Sequence, residues 1–360
     1  MSFSTAQILV PDRPVASGLA QHKRSRWIGW VISVALFALV LPLTVSDYWF
    51  SAILIPLLIL SLAGLGLNLL TGYTGQLSLG SAAFMAVGVY TAYNLDLRVP
   101  ELPLLVSILG GGVMAALVAL VFGLPSLRIK GFYLLVSTLA AQFLIQWVLV
   151  KFGWFSNYNP SGVISAPDLS VLGVEVETPR ARYLLTLAIV AALFWVARNL
   201  VRGETGRRWM AVRDKDVAAA TLGIALLRTK LLAFAISGFF LGVAGCLWGF
   251  LYLGTVEPHG FDLNRSFQIL FIIIIGGLGS LTGSILGAAF FVFLPIALSN
   301  LAGFLPVGTV DNGLLENLQQ VLFGALIIFF LIREPGGLVR YVERAIQYVQ
   351  HRRGIARNAG

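Results

Sequence analysis

The sequence predicts an all-α membrane protein with about ten transmembrane helices. Hydrophobic residues make up 58% of the 360 residues, charged residues only 11%, and the mean hydropathy is +0.87. A soluble domain is usually about a quarter charged, so this chain has too few charges to cover several water-soluble domains. The apolar residues form runs of roughly 20, which suits membrane-spanning helices, whereas the strands of a membrane barrel alternate over roughly 10.

Ten apolar runs are candidate spans, and they divide into a possible internal repeat of five plus five. A helix needs about 20 residues to cross the hydrocarbon layer, so the third and eighth runs are predicted to be short or broken. The ten runs cover residues 27–45, 49–70, 79–95, 102–124, 133–150, 183–201, 231–253, 267–278, 281–299 and 313–332.

The basic residues predict how the chain is oriented. When ten spans are counted from a cytoplasmic N-terminus, twenty of the 25 Lys and Arg residues fall inside and five outside. Basic loops stay in the cytoplasm, so both termini are predicted to be cytoplasmic, and the net charge of +9 does not indicate nucleic-acid binding. The predicted parts are an N-terminal tail (1–26), a transmembrane domain (27–332) with an external loop (151–182) and a cytoplasmic loop (202–230), and a C-terminal tail (333–360).

The cores of the predicted spans contain no Lys, Arg, Asp, Glu or His. Proton relays and ion sites usually need such residues, which argues against an ion-coupled carrier, although sodium coupling through backbone carbonyls stays open. The single cysteine, Cys246, lies in an apolar run and the three histidines are far apart, so no metal centre or catalytic group is predicted. No phosphate-binding loop motif occurs, so any ATP that drives the protein is hydrolysed on another polypeptide.

Two glycine-rich segments interrupt the apolar runs beside the two short ones. Unwound backbone at membrane depth is tolerated where it is buried or lines a cavity, and such breaks point to the substrate region of transporters. Close helix packing through small residues is the alternative interpretation. The candidate pathway residues are Gly72, Tyr73, Gly75, Gln76, Ser78, Gly80 and Ser81 in the first segment and Gly276, Gly277, Gly279 and Ser280 in the second.

The cytoplasmic loop contains a segment, residues 206–224, that combines charges, small side chains and a terminal glycine. Asp214 is predicted to cap a short helix through Ala220, which Gly223 ends in a left-handed conformation. Small side chains would allow this helix to dock closely into a groove of a partner protein. A solvated amphipathic connector is the alternative.

Four stretches carry a resemblance to a known family. They read GLNLLTGYTGQLSLG at 66–80, LRIKGFYLLVSTLA at 127–140, RDKDVAAATLGI at 213–224 and IGGLGSLTGSILGA at 275–288. In order and spacing they resemble the LivM-like permease subunits of bacterial ABC importers for branched-chain amino acids.

The resemblance implies a permease subunit without enzymatic activity, embedded in the lipid bilayer of a bacterial inner membrane. The implied partners are a second related permease, two cytoplasmic ATP-binding subunits that hold the ATP, and a periplasmic solute-binding protein. Branched-chain or related apolar amino acids are the implied cargo. By position in the motif, the residues that couple to the ATPase are Arg213, Asp214, Asp216, Ala219 and Gly223.

Two departures from the family's pattern leave the substrate open. Ser81 stands where such permeases often have His or Gln, and the external loop reads SNYNPSG at 156–162 in place of a glycine-rich pattern. Urea, short amides and small aromatic acids are therefore alternative substrates of the same kind of importer. A stand-alone ion-coupled carrier is the alternative from a different class.

Overall fold

The computed structural model describes residues 46–99, 101–126, 132–166, 170–171, 174–175 and 178–302, with short stretches between 318 and 344. The predicted N-terminal tail and first span lie outside the described residues, as do most of the last span and most of the C-terminal tail. All elements described below belong to one compact unit, Asp47–Gly360.

The described chain is almost entirely helical. Two helices contain a wider π turn, Phe50–Leu54 in the first turns of α1 and Trp248–Leu253 at the end of α8. In chain order the helices are α1 (Asp47–Thr74), α2 (Ser81–Arg98), α3 (Leu104–Ser126), α4 (Phe132–Lys151), α5 (Pro179–Arg202), α6 (Glu204–Asp214), α7 (Asp216–Thr221), α8 (Leu226–Leu253), α9 (Leu263–Gly276) and α10 (Leu281–Ala302).

Four two-residue strands lie in the connections of the described part of the chain. The strands β2 (Ser170–Val171) and β3 (Val174–Glu175) form a small hairpin between α4 and α5. In contrast, β1 (Ile164–Ser165) pairs antiparallel with β4 (Thr255–Val256), which follows α8. The β1–β4 pair therefore fastens the long loop after α4 to the loop between α8 and α9.

Six of the described helices, α1, α3, α4, α5, α8 and α10, are long and apolar enough to cross a membrane. The α9 helix has 14 residues, so it is about 21 Å long and shorter than a hydrocarbon layer of about 30 Å. The all-α membrane class is thus confirmed, while the count of ten spans stays a prediction.

Two helices begin earlier than their apolar runs. The predicted run at 183–201 is part of a helix that begins at Pro179, because the Thr178 hydroxyl accepts a hydrogen bond from the Ala181 N–H at 3.3 Å. Likewise α8 begins at Leu226, five residues before its predicted run. The basic residues at these ends interrupt the hydropathy pattern, yet they are good helix formers whose long side chains reach the polar interface.

The core lies around α1 and α8. Of the most apolar 18-residue stretch of each helix, 83% and 72% is buried. Helix α8 packs against α3, α2 and α1, and α1 also contacts α10. A side chain on Gly88 would overlap the backbone of Gly242, so these glycines let α2 and α8 approach closely. The corresponding stretches of α4, α5 and α10 are only 33%, 28% and 22% buried. These helices therefore keep wide apolar faces for lipid or another subunit.

The two glycine-rich segments do not occupy equivalent places in the helix order. The first follows the long helix α1, whereas the second follows the short helix α9. The closer parallel to the end of α1 is the end of α8: Gly75 and Gly254 both have left-handed backbones, with φ of 72° and 75°, and each precedes a shorter helix. The five-plus-five repeat stays a prediction.

Candidate functional site

The two glycine-rich segments meet at one end of the bundle, where the Asn68 side chain joins them. Its Oδ1 accepts a hydrogen bond from the Gly279 N–H at 2.8 Å. Its Nδ2 donates to the Ser280 carbonyl at 2.8 Å and to the Ser284 hydroxyl at 3.2 Å. Asn68 is fully buried, and its hydrogen bond to the Ser284 hydroxyl is buried as well.

The backbones of the two glycine-rich segments approach each other very closely here. A Cβ atom on Gly72 would overlap the Gly279 nitrogen and would lie 2.9 Å from the Gly279 Cα. The Tyr73 side chain also interacts with the backbone of Leu281. We call this contact between residues 68–75 and residues 277–284 the glycine junction.

Arg213, at the end of α6, reaches the glycine junction from the loop predicted to be cytoplasmic. Its Nη1 donates to the Gly72 carbonyl at 3.0 Å, and a Cβ atom on Gly279 would lie 3.2 Å from the same nitrogen. Its Nε pairs with the neighbouring Asp214 carboxylate at 3.0 Å. A cation at the last carbonyls of a helix is favourable because that end carries partial negative charge, so Arg213 stabilises the end of α1.

Beyond Gly75 the chain turns and runs as an irregular segment to α2. The turn is closed by hydrogen bonds from the Gly75 N–H to the Thr71 carbonyl and from the Gln76 N–H to the Leu70 carbonyl, both at 3.2 Å. A left-handed φ of 72° at Gly75 costs a side-chain-bearing residue more than a glycine. The first predicted segment is therefore a true helix break.

A second buried network holds this irregular segment and the start of α2. The Gln142 Oε1 accepts hydrogen bonds from the Ala83 N–H at 2.7 Å and from the Ser266 hydroxyl at 3.1 Å. Its Nε2 donates to the Phe261 carbonyl at 2.7 Å. The Ser266 hydroxyl in turn accepts from the Ala82 N–H at 2.9 Å. Side chains of α4 and α9 thus satisfy the first N–H groups of α2, which have no partners within their own helix.

We expect Gln142→Leu to lower the free energy of unfolding by about 2 kcal/mol or more, because the Ala83 N–H and the Phe261 carbonyl lose a buried partner. The matched control is Gln146→Leu, one turn later on α4, where the side chain is half-buried and the described residues provide it with no hydrogen bond. Denaturation of both variants in mixed micelles measures the difference. Equal stability of the two variants would refute this role of Gln142.

Two predicted pathway residues have buried polar atoms that find no hydrogen-bond partner among the described residues. They are the Gln76 amide, at both its oxygen and its nitrogen, and the Ser81 hydroxyl. The Ser78 hydroxyl accepts a hydrogen bond from the Gly80 N–H at 3.3 Å. Gly276 packs closely on Gly283 of the following helix, which agrees with the helix-packing interpretation for that glycine.

The loop between α5 and α8 is anchored to the bundle by Trp209. This side chain is fully buried, and its Nε1 donates to the Thr229 carbonyl at 3.2 Å. At the corner between α5 and α6, a side chain on Gly206 would overlap the Val201 carbonyl, so the two helices turn tightly. The position of Arg213 relative to α1 is therefore set by a packed element.

The short helix predicted in this loop exists, but its predicted cap is wrong. Helix α7 starts at Asp216 after Lys215, with no side-chain cap, because Asp214 belongs to the end of α6 and pairs with Arg213. The predicted left-handed end is confirmed, since Gly223 has a φ of 81°. Ala219 of this helix is buried, whereas Val217 and Leu222 are 68% and 80% exposed.

The described residues thus bring together part of the predicted site. The predicted pathway residues that meet at the glycine junction are Gly72, Tyr73, Gly75, Gly277, Gly279 and Ser280. Arg213 is a predicted coupling residue that contacts it. The side chains that hold this end together were missed: Asn68, Gln142 and Ser266. Each is a polar residue inside or beside an apolar run, which is the one signal in the sequence, and other polar residues of the same runs share it.

Long apolar helices around two buried helices, with glycine breaks held by buried polar side chains, define a polytopic helical membrane protein. The described residues contain no group of three or more His, Cys, Asp or Glu that could hold a metal ion. Residues 49–331 match the family described as branched-chain amino acid transport system, permease component. The chain belongs to this family.

Individual relatives carry different transport names. The high-affinity branched-chain amino acid transport system permease protein LivM of Escherichia coli K12 is 29% identical over 299 residues, which cover 77% of this chain and 66% of LivM. The autoinducer 2 import system permease protein LsrC of Enterobacter sp. strain 638 is 28% identical, with 83% and 82% covered. The xylose transport system permease protein XylH of E. coli K12 is 29% identical, with 42% and 35% covered. No solved structure matches the chain.

Proposed function

We propose that this chain is the transmembrane permease subunit of an ATP-driven ABC importer. It translocates branched-chain or related apolar amino acids that a periplasmic binding protein delivers. The observation that carries the proposal is the hydrogen bond from Arg213 to the Gly72 carbonyl. It links the segment that resembles an ATPase-coupling segment to the break between α1 and α2.

This link supports a mechanical role because it joins two rigid elements. Helix α6 is fixed to α8 through the buried Trp209, and α1 is fixed to the α9–α10 turn through Asn68. A movement of the α6–α7 segment therefore acts on the end of α1 and on Gly279 together. Tightly packed contacts transmit such displacements because they cannot deform continuously.

Helix α7 supplies the docking surface for an ATP-binding subunit. The apolar side chains of Val217 and Leu222 are largely exposed among the described residues. Charged residues lie beside them in the sequence. Exposed apolar side chains beside a polar rim are typical of protein interfaces. In this proposal two ATP-binding subunits and a second permease complete the importer, and both termini of the chain lie on the cytoplasmic side of a bacterial inner membrane.

The identity of the cargo rests on LivM, whose printed name gives branched-chain amino acids. The names of LsrC and XylH refer to autoinducer 2 and xylose, so relatives of this chain serve chemically different solutes. Urea, short amides and small aromatic acids therefore stay as alternative substrates. The charge-free cores of the predicted spans favour a pathway driven by partner subunits over a stand-alone ion-coupled carrier.

Docking is tested with Val217→Glu and Leu222→Glu, co-expressed with the ATP-binding subunits of the same importer. We expect either change to lower the amount of co-purified ATP-binding subunit roughly tenfold, because a carboxylate is desolvated at an apolar contact. Arg207→Gln, at an exposed residue on α6, is the control. Full recovery of the ATP-binding subunits with both Glu variants would contradict the docking surface.

A further inference from the structure

At the end of the bundle opposite the glycine junction lies a cavity of about 280 Å³. This volume is close to the lower end of small-molecule pockets, about 300 Å³. The cavity lies between the start of β1, the end of α8 and the start of α9. Its walls include Val163, Trp248, Val256, Glu257, Phe261 and Arg265.

The walls of this cavity are held by specific contacts. The β1–β4 pair sets Ile164 opposite Val256, and the Ala166 N–H donates to the Gly254 carbonyl at 2.6 Å. The Tyr90 hydroxyl of α2 donates to the Gly162 carbonyl at 3.0 Å. The loop after α4 is therefore fastened to two other elements, and the cavity is part of the folded structure.

The apolar part of the wall is formed by aromatic and branched side chains. Trp248, Val256 and Phe261 are all buried, at 6%, 4% and 2% exposure. Glu257 is exposed, so the cavity opens to solvent on its side. An aliphatic group that enters from this side would lie against Trp248 and leave water.

Two opposite charges line the same cavity. The Arg265 guanidinium lies 4.4 Å from the centre of the Trp248 ring, and its Nη1 donates to Gln268. A guanidinium has five N–H donors in a planar fork, so others are left for a carboxylate. Across the part of the chain that the structure describes, the Glu257 carboxylate forms no salt bridge.

We propose that this cavity is a receiving site for an apolar α-amino acid, an inference that rests on the proposed function. The substrate carboxylate binds Arg265, its ammonium group faces Glu257, and its side chain packs on Trp248 and Phe261. Urea is uncharged, so it cannot form an ion pair with Arg265 or with Glu257. An aromatic acid has a carboxylate for Arg265 but no ammonium group for Glu257.

The test measures binding of radiolabelled L-leucine to the complete importer in nanodiscs, without the solute-binding protein. Competing probes are 4-methylpentanoate, which lacks the ammonium group, leucinamide, which lacks the carboxylate, and urea. We expect saturable leucine binding and roughly tenfold weaker competition by each single-charge probe, as for loss of one charge-assisted contact. Urea is expected not to compete.

Two variants separate the two charges. Arg265→Gln is expected to weaken leucine binding roughly tenfold. Glu257→Gln changes an exposed residue and is expected to weaken the binding of leucine but not that of 4-methylpentanoate. The matched control is Arg98→Gln: Arg98 also stacks on a tryptophan, 3.8 Å from the Trp154 ring, outside the cavity.

Absence of saturable leucine binding, equal competition by 4-methylpentanoate, or unchanged binding in Arg265→Gln and Glu257→Gln would overturn the proposal. ATP-driven leucine uptake by the same importer with its binding protein distinguishes the two levels of failure. If uptake persists without leucine binding at the cavity, the receiving site is wrong and the permease function stands. If the importer moves no amino acid at all, the proposed function itself fails.

Discussion

Replacing Arg213 by Gln is expected to reduce ATP-driven uptake roughly tenfold, within the range of about 1–3 kcal/mol that is typical of coupling between sites. The variant loses the charged donor that binds the Gly72 carbonyl at 3.0 Å and faces Gly279. Folding should be little affected, because a cation at a helix end stabilises by only about 0.3–1 kcal/mol. The measurement compares uptake with ATP hydrolysis in proteoliposomes that contain the complete importer.

The matched control is Arg208→Gln on the same helix. Arg208 forms an exposed i,i+4 pair with Glu204 and is expected to contribute little, because such pairs are screened by solvent. If Arg213→Gln and Arg208→Gln transport equally well, the link from α6 to the end of α1 has no role in coupling. If Arg213→Gln hydrolyses ATP but transports little, energy transfer has been lost at this contact.

Replacing Gly72 by Ala is expected to destabilise the protein by about 1–3 kcal/mol, the usual cost of forcing an extra methyl group into a packed site. The added Cβ would overlap the Gly279 nitrogen and the Asn68 side chain, and backbone there has no room to yield. The added methyl group would push the two segments of the glycine junction apart. We therefore expect uptake to fall together with stability. Thermal unfolding in detergent and transport assays measure the two effects.

Gly324→Ala is the control for this substitution. Gly324 lies in a helical stretch, and the described residues place no atom within 4 Å of the position that its Cβ would take. Its unfolding temperature should stay close to that of the unmodified chain. A Gly72→Ala variant as stable and active as Gly324→Ala would show that the glycine junction is loosely packed.

Local features were predictable from the sequence because each depends on neighbouring residues. Runs of apolar residues predicted most helices. The shortness of α9 was predictable from the short apolar run at 267–278. The left-handed glycine after α7 was recognisable from its place behind small residues. The cap at Asp214 was not, because capping depends on where the preceding helix ends, and Asp214 still belongs to α6.

Long-range contacts were not predictable in the same way. Asn68 and Gly279 are 211 residues apart, and hydropathy does not reveal which polar side chain meets which backbone group. Gln142 and Ser266 are each one of several polar residues in or beside an apolar run, and nothing in the sequence singles them out. Only the packing of α4 and α9 against the start of α2 makes them partners, since that packing leaves first-turn N–H groups in need of acceptors.

The most direct test of the account is uptake of radiolabelled leucine by proteoliposomes of two kinds. One contains this chain with its partner permease and the two ATP-binding subunits, with the solute-binding protein added outside; the other contains this chain alone under a proton or sodium gradient. The account predicts uptake only in the first, only with ATP inside, and strongly reduced in the Arg213→Gln variant. Gradient-driven uptake by the chain alone would contradict it.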